Sequence, residues 1–473
     1  MRFLALALVL AAVPTMAQGP PGDLVVRHVT IVDVTNGQTR SNQRVSLRNG
    51  RIVAIAPESR TAPRAAKVVD ATGKFLIPGL WDMHVHIEPA PKIFTRLYLA
   101  QGITGIRDMR MELHALLKLR AEIASGEIFA PRLVASGPAL DDLPPQYPLP
   151  VKLRVKTADD GRKAVIMLKA NGVDFIKVHN FTTREAFFAI ADECKRQDLT
   201  FVGHVPLTVS IQEGTEAGMK SIEHLSEFRI VDECSDATKC QSLIALFKKY
   251  GTWQTPTLVE LRSVAQEAPA DKRRAQYVPA KVKVFWNMTT GMIQNMTAEQ
   301  KAHVKEQYKR AGPLVAEFQR QGIGILAGTD SPVVPNVVSG FSLHDELALM
   351  VEAGLTPLEA LQTATLNPAR FLGKLDDLGT IEKGKLADLV ILDANPLEDI
   401  HNTTKINAVI AQGKLLDRTD LDRLMREAEE MAKAPERCSD GEIKAYGFFV
   451  AESGLMLATN RLRGHQPPTE RPY

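Results

Sequence analysis

The 473-residue sequence predicts an α/β protein, a (β/α)8 TIM barrel carrying a small β-sandwich domain built from both chain ends. Three observations predict it. First, His84-Val85-His86 closes an apolar run that starts at Phe75, and Lys177, His204, His224 and Asp330 each lie near the end of their own short apolar segment. Second, short apolar segments alternate with helical ones through residues 76–382. Third, both ends of the chain share a texture of short β-branched runs. Side chains alternate along a strand, so His-X-His sets both imidazoles on one face, able to grip one metal ion. Ligands at successive strand ends imply the mouth of a barrel, where the active site of this architecture lies.

Taken in order, residues 1–17 have a basic start, an apolar stretch and a small-residue cleavage site before Gln18, the pattern of a signal peptide. Their apolar core is too short to span a bilayer. The mature protein is therefore expected to be exported, periplasmic or secreted, and free of the membrane once the signal is removed. Leu24–Asp33, Arg44–Gly50 and Arg51–Ala56 read as antiparallel strands, and Lys385–Asp393 and Ile406–Gly413 have the same character. The sandwich is expected to join residues 18–75 to 383–420, with the barrel at 76–382 between them and a C-terminal helix and tail at 421–473.

After the His84 segment, the predicted barrel strands are Gly105–Met109, Arg132–Ser136, Val173–Val178, Thr200–His204, Ser221–His224, Thr252–Thr257 and Gly324–Gly328. Asp141–Pro150 is too rich in proline for helix and reads as a stiff loop at the mouth. A long insertion separates the last two strands. In it Met288, Met292 and Met296 recur at helical spacing, which reads as packing into a core gap rather than a pocket wall. Thr297-Ala-Glu-Gln300 is a capping box opening a helix toward Phe318. In the tail, Tyr446–Ala451 reads as a strand.

The net charge is only +3, and no Lys/Arg block is interleaved with aromatics, which argues against nucleic acid and for a small-molecule substrate. Self-association into a homo-oligomer stays open. Of the four cysteines, Cys194, Cys234, Cys240 and Cys438, the close pair Cys234 and Cys240 could close a small surface loop in an oxidising compartment; neither of the two has metal-finger spacing, which favours a structural role.

Taken singly, a histidine on a strand is more often a core or surface residue, and an Asp after Gly-Thr is often a helix cap. The conjunction changes this, because several buried histidines and a buried lysine at strand ends are costly without a shared partner. The sequence resembles the amidohydrolase superfamily, specifically its exported, imidazolonepropionase-related and Xaa-Pro-dipeptidase-like members. The resemblance rests on Pro78–His86, Lys177, His204, His224, Gly328-Thr-Asp330, Leu355–Ala369 and Gly379–Leu389, and covers nearly the whole chain. It implies one metal held by His84, His86 and Asp330, and a second held by His204 and His224. Lys177 would bridge them as a carbamate formed with CO2; burial and nearby cations depress a lysine pKa and free its amine to react. The alternative is an uncarboxylated Lys177 beside a single metal. Two divalent ions, best suited as Zn2+ with Co2+, Mn2+ or Fe2+ as alternatives, would hold a hydroxide that is nucleophilic at neutral pH, with Asp330 as the catalytic proton carrier.

His179 shares the strand face of Lys177 and is a candidate substrate contact. His344 is either a pocket donor or a helix cap. Arg107 could bind a substrate carboxylate or pair locally with Asp108. The expected activity is hydrolysis of an amide C–N bond in a small N-acyl amino acid or dipeptide-like substrate. Alternatives are a cyclic amide, lactone or phosphoester at the same site, or a non-catalytic binding protein, which every competent ligand position argues against.

Overall fold

The computed structural model describes residues 22–59, 65–142, 150–268 and 270–434. The signal at 1–17, most of the Pro-rich segment 141–150 and the tail from 437, with Cys438 and the strand read at 446–451, lie outside the described residues.

Two parallel sheets run through the middle of the chain. One orders Leu80–Val85, Ile103–Asp108 and Arg132–Ala135; the other orders Lys152–Arg154, Ala139–Asp141, Ile176–Val178, Phe201–Gly203, Ser221–Glu223 and Trp253–Thr255. Parallel neighbours need a crossover. Helices Pro91–Ala100, Leu113–Ala124, Ala158–Ala170, Arg184–Arg196, Ile211–Glu216 and Ala237–Tyr250 supply it in turn. The helix Arg184–Arg196 shows how the sequence sets one: the Thr183 side chain accepts from the Ala186 amide to start it, and Phe187, Ile190 and Cys194 recur at helical spacing to bury one face.

The predicted strand at Gly324–Gly328 forms no continuous ladder. Ile325 makes a single parallel bridge to Gln254, and Ser331 makes one to Val85. The Leu326 amide donates to the Gln254 carbonyl and the Met83 amide to the Ala327 carbonyl. The segment thus lies between the strands 253–255 and 80–85. Gly328 is needed there, because a Cβ would stand 2.7 Å from Thr255 and 2.8 Å from His84.

Two glycines give the core its shape by leaving room for tryptophan. A Cβ on Gly105 would fall 2.1 Å from the Trp81 indole, and one on Gly324 would fall 2.2 Å from Trp253. Gly105→Ala should therefore destabilise the fold by about 1–3 kcal/mol through overpacking. Chemical denaturation checks this, and an unchanged midpoint would show that Trp81 moves aside freely.

The chain ends meet in one eight-stranded sheet ordered Lys414–Leu416, Ile406–Ala411, Leu389–Leu392, Phe75–Pro78, Gly22–Val32, Thr39–Arg48, Arg51–Pro57, with Ala65–Asp70 also paired to Gly22–Val32. Both chain ends thus contribute strands to this sheet. Phe75–Pro78 extends it, pairing antiparallel with Leu389–Leu392 and parallel at Thr30 and Ile31, so the chain leaves this sheet at Gly79. Alternation divides the strands between two cores. Leu389, Ile391, Ala408 and Ile410 join a cluster with Val26, Ile31 and Leu47, while Val390, Leu392, Val409 and Ala411 pack with the helices of the central region.

In the insertion, the Thr297–Gln300 capping box opens the helix Ala298–Arg320 as its spacing predicts. The final described helix, Arg418–Ala432, buries Leu421, Leu424 and Ala428, and its Glu427 pairs with Arg96 at 2.8 Å. Cys234 and Cys240 are disulfide-bonded, a pairing suited to an oxidising compartment, and Cys194 is free and buried. Among the described residues, no helix is long and apolar enough to cross a membrane.

Candidate metal centre

His84 and His86 lie at the C-terminal end of the strand Leu80–Val85, with the wholly buried Val85 between them. Lys177 is the central residue of Ile176–Val178, His204 follows Phe201–Gly203, and His224 follows Ser221–Glu223. Asp330 lies beyond the Ile325 bridge. The parallel arrangement brings all six to one end of the strands.

Asp330 is the hub. Its Oδ1 lies 2.9 Å from His86 Nε2, 3.1 Å from His84 Nε2 and 4.0 Å from His224 Nε2. His84, His224 and Asp330 offer ligand atoms all within 4.8 Å of one another. This trio differs from the implied grouping, which sets His224 beside His204; the His224 ring centroid lies 4.4 Å from that of His84 and 4.9 Å from that of His204, so it stands between the two groups. His86, Lys177, His204, His224 and Asp330 line a cavity of about 100 Å³.

Three of the inward histidines, His84, His204 and His224, are held from behind, an arrangement that suits a metal ligand. His84 Nδ1 donates to Glu223 at 2.8 Å, and Arg107 clamps both oxygens of that carboxylate at 3.0 and 3.1 Å. His204 Nδ1 lies 2.8 Å from Asn180 Oδ1 and 3.2 Å from Glu227. His224 Nδ1 faces Thr257 Oγ1 at 2.7 Å and Glu260 at 2.8 Å. The histidine pattern alone did not reveal these partners. The available signal was the acid beside His224, since Ser221-Ile-Glu-His224 places Glu223 inside a short buried strand.

Burial dominates the electrostatics. It lowers the pKa of His84, lowers that of His86 to about 3, and holds His204 well below the ordinary range, leaving neutral imidazoles fit to donate a lone pair. Burial also lowers Lys177 to about 8, although Glu223 and Asp330 pull the other way. For His224, burial is outweighed by Glu260 and Asp330, and its pKa rises to about 9. A cation bound here would replace the proton that these carboxylates attract. Burial disfavours ionised Asp330 too, but His86 and His84 hold its carboxyl well below the usual range.

Backbone strain concentrates in the same place. Residues His224 to Phe228 all have left-handed φ, from 44° to 72°, and Asp330 has φ 58°. Non-glycine residues adopt this region at a cost, and such residues cluster at functional sites.

Three sequence expectations are corrected. Arg107 is fully buried and spans Met83 O, Ser221, Glu223 and Thr255, so it orients the His84 partner and does not meet a substrate carboxylate; nor does it pair with Asp108, which accepts the Ile87 and Arg110 amides. His344 lies outside the cavity wall; both its ring nitrogens are occupied, by Thr403 Oγ1 and the Gln101 carbonyl. Met292 lines the cavity, whereas Met296, which caps the end of the helix Ala280–Asn295 with extended backbone, is buried in the core. His179 does reach the cavity, stacked on His204 with 4.2 Å between centroids and close to Lys152 and Asp141.

The sequence pattern of the Amidohydrolase family matches residues 75–416. An adenine deaminase from Desulforamulus reducens is 22% identical over 421 residues, covering 88% of this chain and 62% of that protein, so the chain spans about three fifths of the length of that relative. Among solved structures, a Xaa-Pro dipeptidase with bound methionine in the active site has a TM-score of 0.67 at 23% identity, covering 83% of this chain and 99% of that one. A bottromycin amidohydrolase has a TM-score of 0.69 at 23% identity, covering 90% and 94%. These structural likenesses are of fold. Since the family pattern runs from the strand before the His-X-His pair, through every candidate ligand, to the last strand of the terminal sheet, the chain belongs to the amidohydrolase family.

Proposed function

We propose that the chain is a metal-dependent hydrolase that cleaves the amide C–N bond of a small N-acyl amino acid or dipeptide-like substrate. The observation carrying this reading is that, among the described residues, two buried nitrogens of the centre lack a hydrogen-bond partner, His84 Nε2 at 3.1 Å from Asp330 Oδ1 and Lys177 Nζ in the cavity wall, while His86 Nε2 stands 2.9 Å from the same Asp330 oxygen. Each such orphan costs about 1–3 kcal/mol, which a bound cation would offset. The donor set of imidazoles and carboxylate suits Zn2+. His84, His86 and Asp330 would hold one ion and His204 and His224 a second, joined by Lys177 as its carbamate. In the same reading the eight predicted strands, from the His84 segment to Gly324–Gly328, form one closed (β/α)8 barrel, with the terminal sheet as its β-sandwich domain.

When bound, the metal supplies Lewis acidity and lowers the pKa of water toward neutrality. The remaining work belongs to the chain. Asp330, in the cavity wall, takes the proton of the attacking water and returns it to the leaving nitrogen. Glu223, Glu260 and Asn180 keep the ring nitrogens aimed inward. Leu261, Val264, Val333 and Val334 line the same cavity with apolar surface and exclude competing water.

The likeness to an adenine deaminase over most of the chain favours a second reading, deamination of adenine at the same centre. A panel of dipeptides, N-acyl amino acids, adenine, cyclic amides, lactones and phosphoesters separates the readings. The purified protein should carry close to two divalent ions per chain and lose activity to a chelator, since ligands for both are present. Elemental analysis well below one metal per chain in an active preparation would overturn the binuclear centre.

A further inference from the structure

The cavity wall carries charges of opposite sign on different sides of the metal ligands. Arg110, half-buried, follows the strand Ile103–Asp108; Glu227 and Glu260 follow Ser221–Glu223 and Trp253–Thr255. In the strand order, the Arg110 segment is separated from the two glutamates by the strands bearing Lys177 and His204 on one side, and by those bearing Asp330 and the His84–His86 pair on the other. Glu260 is only partly used in holding His224. Its Oε2 takes both the His224 Nδ1 and the Thr257 Oγ1 contacts, at 2.8 and 2.9 Å, so Oε1 accepts no hydrogen bond among the described residues. Glu227 stands on the neighbouring segment, its Oε1 receiving the Asn180 amide at 2.8 Å. Arg110 contributes positive charge near His86, Lys152, Lys177 and His179. Between these poles, Leu261, Val264, Met292, Val333 and Val334 offer an apolar surface.

From this arrangement we infer that the cavity reads both ends of a zwitterion: the free ammonium of a dipeptide against Glu260, with Glu227 beside it, and its free carboxylate against Arg110. The inference rests on the amide-hydrolase reading and sharpens it, because an N-acyl amino acid lacks the ammonium while an unblocked dipeptide has both charges flanking the scissile bond. The apolar wall accommodates the side chain of an apolar residue. Glu227 and Glu260 are thereby specificity residues as well as supports for His204 and His224.

The test uses leucylalanine, N-acetylleucylalanine and leucylalanine amide. Calorimetric titration of metal-loaded Asp330→Asn protein reads binding without turnover, and wild-type kcat/KM reads the reaction. Each blocked form should bind roughly 10–100-fold more weakly than the free dipeptide, the range for losing a charged hydrogen bond. Adding Glu260→Gln keeps an oxygen for His224 but removes the charge, so the acetylation penalty should shrink to a few-fold while the amidation penalty persists. Arg110→Met should do the reverse. Metal content of each variant, Asp330→Asn included, separates lost charge recognition from a lost metal, and wild-type kcat/KM for the three ligands decides the matter without any cavity variant. Equal or tighter binding of the N-acetyl form, no binding of the free dipeptide at millimolar concentration, or an unchanged acetylation penalty in metal-loaded Glu260→Gln would overturn the zwitterion. Faster wild-type hydrolysis of N-acetylleucylalanine than of leucylalanine overturns it and leaves amide hydrolysis standing. Selective binding of the free dipeptide with no turnover supports it and sinks amide hydrolysis.

Discussion

Asp330→Asn should lower kcat on the order of a thousandfold while leaving the fold intact. Two effects combine. Asparagine fills the same space but cannot accept the proton of an attacking water, and a positioned acid–base group is worth roughly 10²–10⁴ in rate. The substitution also removes the negative charge that His84 and His86 approach at 3.1 and 2.9 Å, weakening the hold on a cation. The backbone tolerates the change: Asp330 has φ 58°, a left-handed value that asparagine adopts more readily than almost any other side chain. The Asp330 amide bond to the His84 carbonyl, at 2.8 Å, is untouched. Circular dichroism and denaturation should therefore match wild type, and steady-state kinetics reads the loss. Near-normal kcat in the folded variant would assign the proton to another group.

Lys177→Ala should lose one metal and most activity, and a small carboxylic acid should restore part of both. Among the described residues, Lys177 Nζ is buried without a hydrogen-bond partner, and burial lowers its pKa to about 8, so a reactive free amine is accessible near neutral pH. If the amine carries CO2, its removal takes away the anion that offsets the repulsion between two nearby cations. Formate or acetate fits the vacated space and returns the missing oxygens. Elemental analysis and rescue kinetics read the result, and intact-mass measurement of wild type should find one extra CO2. Full metal loading and activity in the variant would leave a mononuclear site on His84, His86 and Asp330. The side chain also supports its neighbours, since Gly203 packs so closely that a Cβ there would stand 3.0 Å from Lys177 Cδ. A modest drop in stability should accompany the loss of metal and does not imitate it, because acid rescue restores metal and rate without refilling that packing.

Much of the centre is legible in the sequence because its determinants are local. Strand alternation puts His84 and His86 on one face whatever they meet, and the alternation of apolar and helical segments carries Lys177, His204 and His224 to the same strand ends. Alternation likewise sorts Leu389 and Ile391 from Val390 and Leu392. The partners behind the ligands are not local. Glu223 is 139 positions from His84, and Arg107 is 116 from Glu223. Nothing in either neighbourhood specifies the other, so Arg107 read as a substrate contact when it is a buried clamp. His344 misled for the same reason: its two ring partners, Gln101 and Thr403, lie 243 and 59 positions away.

What the sequence determined by itself is the parallel α/β plan, the terminal sheet drawn from both chain ends and the gathering of the candidate ligands, all consequences of side-chain periodicity and of residue placement at strand ends. Only the tertiary structure decided that His224 stands between His84 and His204, that Phe75–Pro78 belongs to the terminal sheet, that Met292 faces the cavity, and that Glu260 has an oxygen to spare. These depend on which distant segments pack together and on a left-handed turn at His224–Phe228 that no propensity favours. The cost of that turn must be offset by the surrounding contacts, and those exist only once the chain has folded.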